Sequence, residues 1–179
     1  MRDLMGQHFE AQKYALIIQE AFKTFNISKH IMVGLISRES AWGRSLKPRG
    51  PGGTGDFEPR KNKYAVDGFP PDGLGWGRGL CQHDYRWSKF AREGDWRDPR
   101  ANIMEATKLL FNNRRLIAAK LDINGDELIR GMLASYNAGP DDVFKAYRNK
   151  LDIDFYTTGK DYSRDVFKRA EFFREQGWI

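Results

Sequence analysis

The stretch Ser28-Lys29-His30-Ile31-Met32-Val33-Gly34-Leu35-Ile36-Ser37-Arg38-Glu39-Ser40-Ala41-Trp42-Gly43 decides the fold of this chain. Ser28 can cap a helix, and Ile31, Met32, Val33, Leu35 and Ile36 make that helix apolar nearly all round, as expected inside a core. Glu39 follows these residues and directly precedes a glycine-rich run. Its carboxyl is therefore expected at the rim of the core, facing a cleft. Partial burial disfavours the charged form, and a carboxylic acid with a raised pKa can serve as a general acid near neutral pH. Position alone is equally compatible with a solvated Glu near a helix C-terminus, paired with Arg38 or Arg44.

Upstream, Tyr14, Ile17, Ile18, Ala21, Phe22 and Phe25 recur at spacings of three and four, predicting an amphipathic helix over 9–25. Downstream, from Gly43 to Arg78, Gly50, Gly52, Gly53, Gly55, Gly68, Gly73, Gly75 and Gly77 alternate with Pro48, Pro51, Pro59, Pro70 and Pro71, which excludes regular helix. A loop of that length is usually functional; short strands at Tyr64–Val66 and Gly79–Gln82 are expected to form a hairpin within it. A short helix is expected over 85–92, and Asp98-Pro99 opens a long one whose stripe runs through Ile103, Ala106, Leu110, Ile117 and Leu121. Asn124 with Glu127 suggests a capping box for a helix ending near Asn137. Further helices run from Pro140 to about Lys150 and from Asp161 or Ser163 to Gly177. The expected class is α+β, mainly α: one domain over 1–179, with a small β or loop lobe beside a substrate cleft.

A length of 179 residues suits one core. No run approaches the roughly 20 apolar residues of a membrane span, so no membrane insertion is expected. Met1–Gln12 lacks the apolar segment of a secretory signal, so export is expected to use another route or a mature form. Cys81 is the only cysteine, which rules out an intrachain disulfide and a cysteine-based metal cluster. The formal charge of +6 is interspersed with acids and favours a polyanionic partner without choosing one.

Two further clusters carry polar side chains suited to a groove. Gly73-Leu74-Gly75-Trp76-Gly77-Arg78-Gly79-Leu80-Cys81-Gln82-His83-Asp84 places glycines at alternate positions, allowing a ligand or another backbone to approach, and ends in Gln82 and Asp84. It fits neither a dinucleotide fingerprint nor a phosphate loop, and a flexible turn before a short strand would read the same way. Ser135-Tyr136-Asn137-Ala138-Gly139 ends a helix in an aromatic and an amide; both suit sugars, and both are also ordinary at a helix end. His8, His30 and His83 are too scattered for a metal helix, and the run opening at Asp122 has Glu127 where a calcium loop requires glycine and Leu133 in place of its bidentate Glu. Cys81 and His83 read as a strand pair facing opposite ways, not as nucleophile and base.

Ile36-Ser37-Arg38-Glu39-Ser40, Gly79-Leu80-Cys81-Gln82-His83-Asp84, Ser135-Tyr136-Asn137-Ala138-Gly139 and Thr157-Thr158-Gly159-Lys160-Asp161-Tyr162 with Asp165-Val166 occur in that order. Together they resemble goose-type lysozyme, a family related to soluble lytic transglycosylases, over roughly Phe9 to Gly177. The resemblance implies the lysozyme-like fold and cleavage of β-1,4 linkages in peptidoglycan. It implies Glu39 as general acid, Asp84 as an aspartate that positions water, and Asp72 as a second such aspartate, with Asp67 its rival. It implies Gln82, Tyr136, Asn137 and Tyr162 as residues of the sugar site. Cys81 stands where the family usually has methionine, His83 where it has a small aliphatic, and the loop from Lys47 to Gly73 is longer than usual.

Inverting glycoside hydrolysis needs one protonated carboxyl and one carboxylate, roughly 6.5–9.5 Å apart with water between them. Glu39 comes from the core helix, and Asp72 and Asp84 from the loop, which suits that division. No metal and no cofactor are required. The expected protein is a monomeric muramidase acting outside the cytoplasm, with no nucleic-acid partner. A chitinase on the same scaffold, a lytic transglycosylase and a carbohydrate-binding module without catalysis are the alternatives.

Overall fold

The structure, a computed structural model, describes residues 3–60 and 68–179. Its elements run α1 (Leu4–Gln12), α2 (Ala15–Phe25), α3 (Lys29–Ser40), β1 (Thr54–Gly55), β2 (Gly77–Arg78), β3 (His83–Asp84), α4 (Lys89–Glu93), α5 (Pro99–Lys120), α6 (Gly125–Ala138), α7 (Pro140–Arg148) and α8 (Tyr162–Glu175). A 3-10 turn at Thr158–Lys160 precedes α8. The class is the expected one: mainly helical, with a small antiparallel sheet in the order β1-β2-β3. Among the described residues no helix is long and apolar enough to cross a membrane.

The single helix expected over 9–25 is two. Lys13 N–H and Tyr14 N–H bond back three residues, to Glu10 O (3.2 Å) and Ala11 O (2.9 Å), so the chain tightens into a turn before α2 begins. No glycine or proline announces this break. It lets Tyr14 stack on the buried indole of Trp42, ring centroids 5.5 Å apart.

The expected hairpin is also corrected. Tyr64–Val66 lies outside the described residues, and Gly79–Gln82, expected as a strand, is the tight turn that joins β2 to β3. Gln82 N–H bonds to Gly79 O at 3.1 Å, and the turn needs positive φ at Gly79 (66°) and Gln82 (51°). Glycine meets the first of these without a Cβ clash. The register pairs Thr54 with Arg78 and Gly55 with Gly77, then Gly77 with Asp84 and Arg78 with His83. Cys81 therefore sits in the turn and not on a strand. The helix expected over 85–92 begins only at Lys89, capped by Ser88 Oγ, because Asp84 O accepts the N–H groups of Trp87 and Ser88 in a turn. Asp98 caps α5 as expected, its Oδ1 accepting Ala101 N–H at 2.7 Å. Asn124 occupies the N-cap of α6, but its side chain makes no capping bond, so the capping box does not form.

The chain divides into two compact units, 1–18 with 36–106 and 19–35 with 107–179. In the second, α6 packs on α7 and α8, around a core of Ile117, Leu121, Ile123, Ala134, Val143, Phe144 and Ile153. Gly34 meets α8 so closely there that a Cβ would lie 2.9 Å from Ala170 N and Val166 O. That explains the glycine in the middle of α3.

In the first unit a buried amide does the comparable job. Asn102, fully buried in the opening turns of α5, donates from Nδ2 to Arg78 O (3.1 Å) and Trp96 O (2.9 Å), and its Oδ1 accepts Cys81 N–H (2.9 Å). Its own carbonyl bonds His83 Nε2 at 3.0 Å. A buried group that loses its partner costs about 1–3 kcal/mol. Asn102→Ala, which orphans three such groups, is expected to lower unfolding free energy in urea by about 3–5 kcal/mol. Asn124→Ala should change it by less than about 0.5 kcal/mol.

Candidate active site

Glu39 stands half-buried in the last turn of α3, a turn that also carries the buried residues Ser37 and Ser40. The helix stops immediately afterwards in three consecutive left-handed residues: Ala41 (φ 47°), Trp42 (59°) and Gly43 (81°). Left-handed backbone costs a non-glycine residue roughly 1–2 kcal/mol. Here Ser40 Oγ, accepting Gly43 N–H at 3.1 Å, and the burial of Trp42 hold it in place. Ser37 Oγ in turn donates to Gln7 Oε1 at 2.7 Å, tying this end of α3 to α1. Glu39's charge reaches the Cys81 thiol in the β2–β3 turn. Burial first, and that negative charge second, push the thiol well above its usual range. A buried thiol that stays protonated is not a nucleophile.

Asp84 ends β3 with its carboxylate held on both oxygens. Oδ2 accepts Arg60 Nη1 at 2.6 Å and Oδ1 accepts Arg86 N–H at 2.7 Å. Arg60 also pairs with Asp56 and lies over the Trp76 ring, 4.7 Å from its centre. Asp72 is more open, its side chain 42% exposed, and is tied to Arg78 Nη2 at 2.9 Å and Leu74 N–H at 3.1 Å. Burial raises its pKa, but the Arg78 hydrogen bond, the Leu74 amide and the Arg78 charge outweigh this and hold the carboxyl below its ordinary value. Arg78 itself is fully buried, its guanidinium 4.7 Å from the Tyr85 ring and 5.3 Å from Trp96. Asp67 lies outside the described residues.

Most of the alternating glycines admit the protein's own atoms. A Cβ on Gly75 would lie 2.2 Å from Gly55 O, one on Gly77 would lie 2.1 Å from Gln82 Oε1, and one on Gly79 would lie 2.2 Å from Asn102 Nδ2. Gln82 thus rests on the bare backbone of the Gly55–Gly77 pair, and its Nε2 donates to Gly79 O at 2.7 Å. Glu39, Asp72, Gln82 and Asp84 all belong to the first compact unit.

Tyr136, Asn137 and Tyr162 belong to the second. Tyr136 is half-buried and Asn137 exposed, with Asn137 Oδ1 accepting Thr158 N–H at 2.8 Å. Tyr162 is 2% exposed, a core residue of α8, its N–H directed at Thr157 Oγ1. The corner around it is built on Asp154, a fully buried carboxylate that accepts Ser163 Oγ (2.7 Å) and Ser163 N–H (2.8 Å).

Arg60, Arg78, Asn102 and Asp154 were not singled out by sequence reasoning. Asn102 carried a usable signal, because it falls on the buried stripe of α5 with Ala106, Leu110 and Ile117, where an uncharged amide is out of place without partners. Arg78 among glycines reads as an ordinary surface cation. Among the described residues no group of three or more His, Cys, Asp or Glu side chains could hold a metal ion.

The family model for lysozyme g matches residues 7–177. Lysozyme g of Gallus gallus is 31% identical over 93% of this chain and 66% of its own length. The Takifugu rubripes protein is 30% identical over 91% of this chain and 75% of its length, and that of Struthio camelus 28% over 99% and 72%. The chain therefore spans about two thirds to three quarters of these relatives.

His83, beside Asp84, supplies a pH test. Burial lowers its pKa, against smaller upward contributions from its bond to Asn102 O and from Glu105, so the neutral ring is favoured in the fold. The unfolded chain then binds more protons below its pKa of about 6.5. Stability should be full above that pH and fall as pH drops through the folded pKa. His30, also lowered chiefly by burial, adds to this slope. His83→Gln should therefore show a shallower loss of unfolding free energy between pH 7.5 and 5.5 than the parent; equal slopes would refute the assignment.

Proposed function

We propose, from the premise that this chain belongs to the lysozyme g family, which implies a glycosidase acting on peptidoglycan, that Glu39 is its catalytic acid and that Asp84 and Asp72 manage the attacking water. Support comes above all from Asp84, whose two oxygens are each fixed by an N–H donor. A carboxylate oxygen has two lone pairs, so each still has one for a water. Asp72, held below its usual pKa by Arg78 and Leu74, is ionised at working pH and supplies a second acceptor. Glu39 stands half-buried in the last turn of the apolar helix, in the same compact unit as both aspartates.

Glu39 donates its proton to the glycosidic oxygen as the C–O bond breaks. Asp84 takes a proton from the water that attacks the anomeric carbon from the opposite face, and Asp72 orients that water. The outcome is hydrolysis with inversion. Gln82, held on its glycine shelf, hydrogen-bonds the sugar. Tyr136 and Asn137 also contribute to sugar binding, with Asn137 Nδ2 left to donate while its oxygen holds Thr158 N–H. Tyr162, being buried, serves that site as a support and not as a stacking surface. The 179 residues work as one monomeric catalytic domain on cell-wall glycan, outside the cytoplasm.

Glu39→Gln removes the acid while keeping the shape. Turnover of cell-wall glycan should fall at least about a hundredfold, the low end for a positioned acid. Oligosaccharide affinity should stay within about tenfold, or 1.4 kcal/mol. Residual activity equal to the parent would reject the assignment.

A further inference from the structure

The chain has five tryptophans. Trp42, Trp76, Trp96 and Trp178 are 1–7% exposed, whereas Trp87 is 73% exposed. A Trp side chain offers some 150–250 Å² of surface, so leaving one in water gives up a large burial gain. Trp87 is not on a loose loop. Its N–H bonds to Asp84 O, as does that of Ser88, at 3.2 and 2.9 Å. Arg92 Nη1 bridges Tyr85 O and Arg86 O at 2.9 and 3.0 Å, and Arg86 N–H is held by Asp84 Oδ1. The Arg86 guanidinium lies 4.5 Å from the indole centre and covers one face; with most of the side chain exposed, the other face is open.

We propose that Trp87 is a stacking platform for a sugar ring of the glycan, one or more rings along from the cleaved bond, in fixed register with Asp84. The inference rests on the glycosidase reading above and extends it to a subsite. The chemistry favours a sugar. A β-1,4-linked amino sugar has equatorial substituents, so its faces carry axial C–H groups that pack on a flat aromatic, while its hydroxyls stay in water. Trp87 is bordered by Arg86, Ser88 and exposed Lys89, and those polar neighbours suit the rim of a sugar. A protein or lipid partner would call for a contiguous apolar patch of several hundred Å², whereas the chain neighbours of this indole, Arg86, Ser88 and Lys89, are polar. Its fixed turn means that little entropy is lost on binding.

Because the other four indoles are buried, acrylamide quenching of the protein's fluorescence reports mainly on Trp87. Saturating linear glycan strands prepared from peptidoglycan should cut that quenching at least twofold in the Glu39→Gln protein, which does not consume them. Trp87→Ala should raise KM on the same strands about three- to tenfold, the usual worth of one aromatic contact, and Trp87→Phe should recover most of the loss. Quenching unchanged at saturation, or a KM for Trp87→Ala equal to the parent's, would overturn the platform while leaving the catalytic reading intact. A parent protein that neither binds nor cleaves the strands would overturn both.

Discussion

Asn102 is the constraint on which the candidate site depends. One side chain binds the carbonyls of Arg78 and Trp96 and the N–H of Cys81, so the opening of α5 grips both ends of the β2–β3 turn. Strands of two residues have little pairing energy of their own. Their position is set by this amide and by glycines that let backbone and side chains approach where a Cβ would collide. Fixing that turn fixes what it carries: Gln82 within it, Asp84 directly after it, and the hydrogen-bonded corner bearing Trp87.

The second determinant is the sorting of charge. Arg60 and Arg78 are each committed to an aspartate, and each guanidinium is packed on aromatic rings. An arginine so placed gives up rotamer freedom once, at folding, and presents its N–H groups with defined geometry. Asp72 is thus held below its ordinary pKa by Arg78 and Leu74, and Asp84 is paired with Arg60, while Glu39 sits at the end of the apolar helix. Two kinds of carboxyl, distinguished by surroundings and not by residue type, are what acid and base roles in glycoside cleavage require.

Most helices were legible in the sequence because their cause is local. The apolar run of α3, the stripe of α5, the Asp98-Pro99 start and the Gly139-Pro140 break each announce themselves within a few residues. The break between α1 and α2 does not, since Lys13 and Tyr14 are compatible with helix and the Tyr14–Trp42 stack that the turn permits is a long-range contact. The strands were misplaced for a similar reason. Gly79–Gln82 reads as extended, and only its long-range bond to Asn102 and two positive φ angles make it a turn. Glu39, Asp84 and Gln82 stood out because they border glycine-rich or apolar runs. Arg60, Arg78 and Asn102 did not, because their role lies in partners 6 to 24 residues away in sequence.

The account stands on water attacking opposite a protonated Glu39, with Asp84 and Asp72 on the water's side. The anomeric configuration of the first-formed product, followed by proton NMR from the moment of mixing with glycan strands, tests this most directly. Inversion predicts that the new reducing end appears first as the α anomer and then mutarotates. A β anomer at the earliest time, or an anhydro-sugar terminus in place of a reducing end, would contradict it.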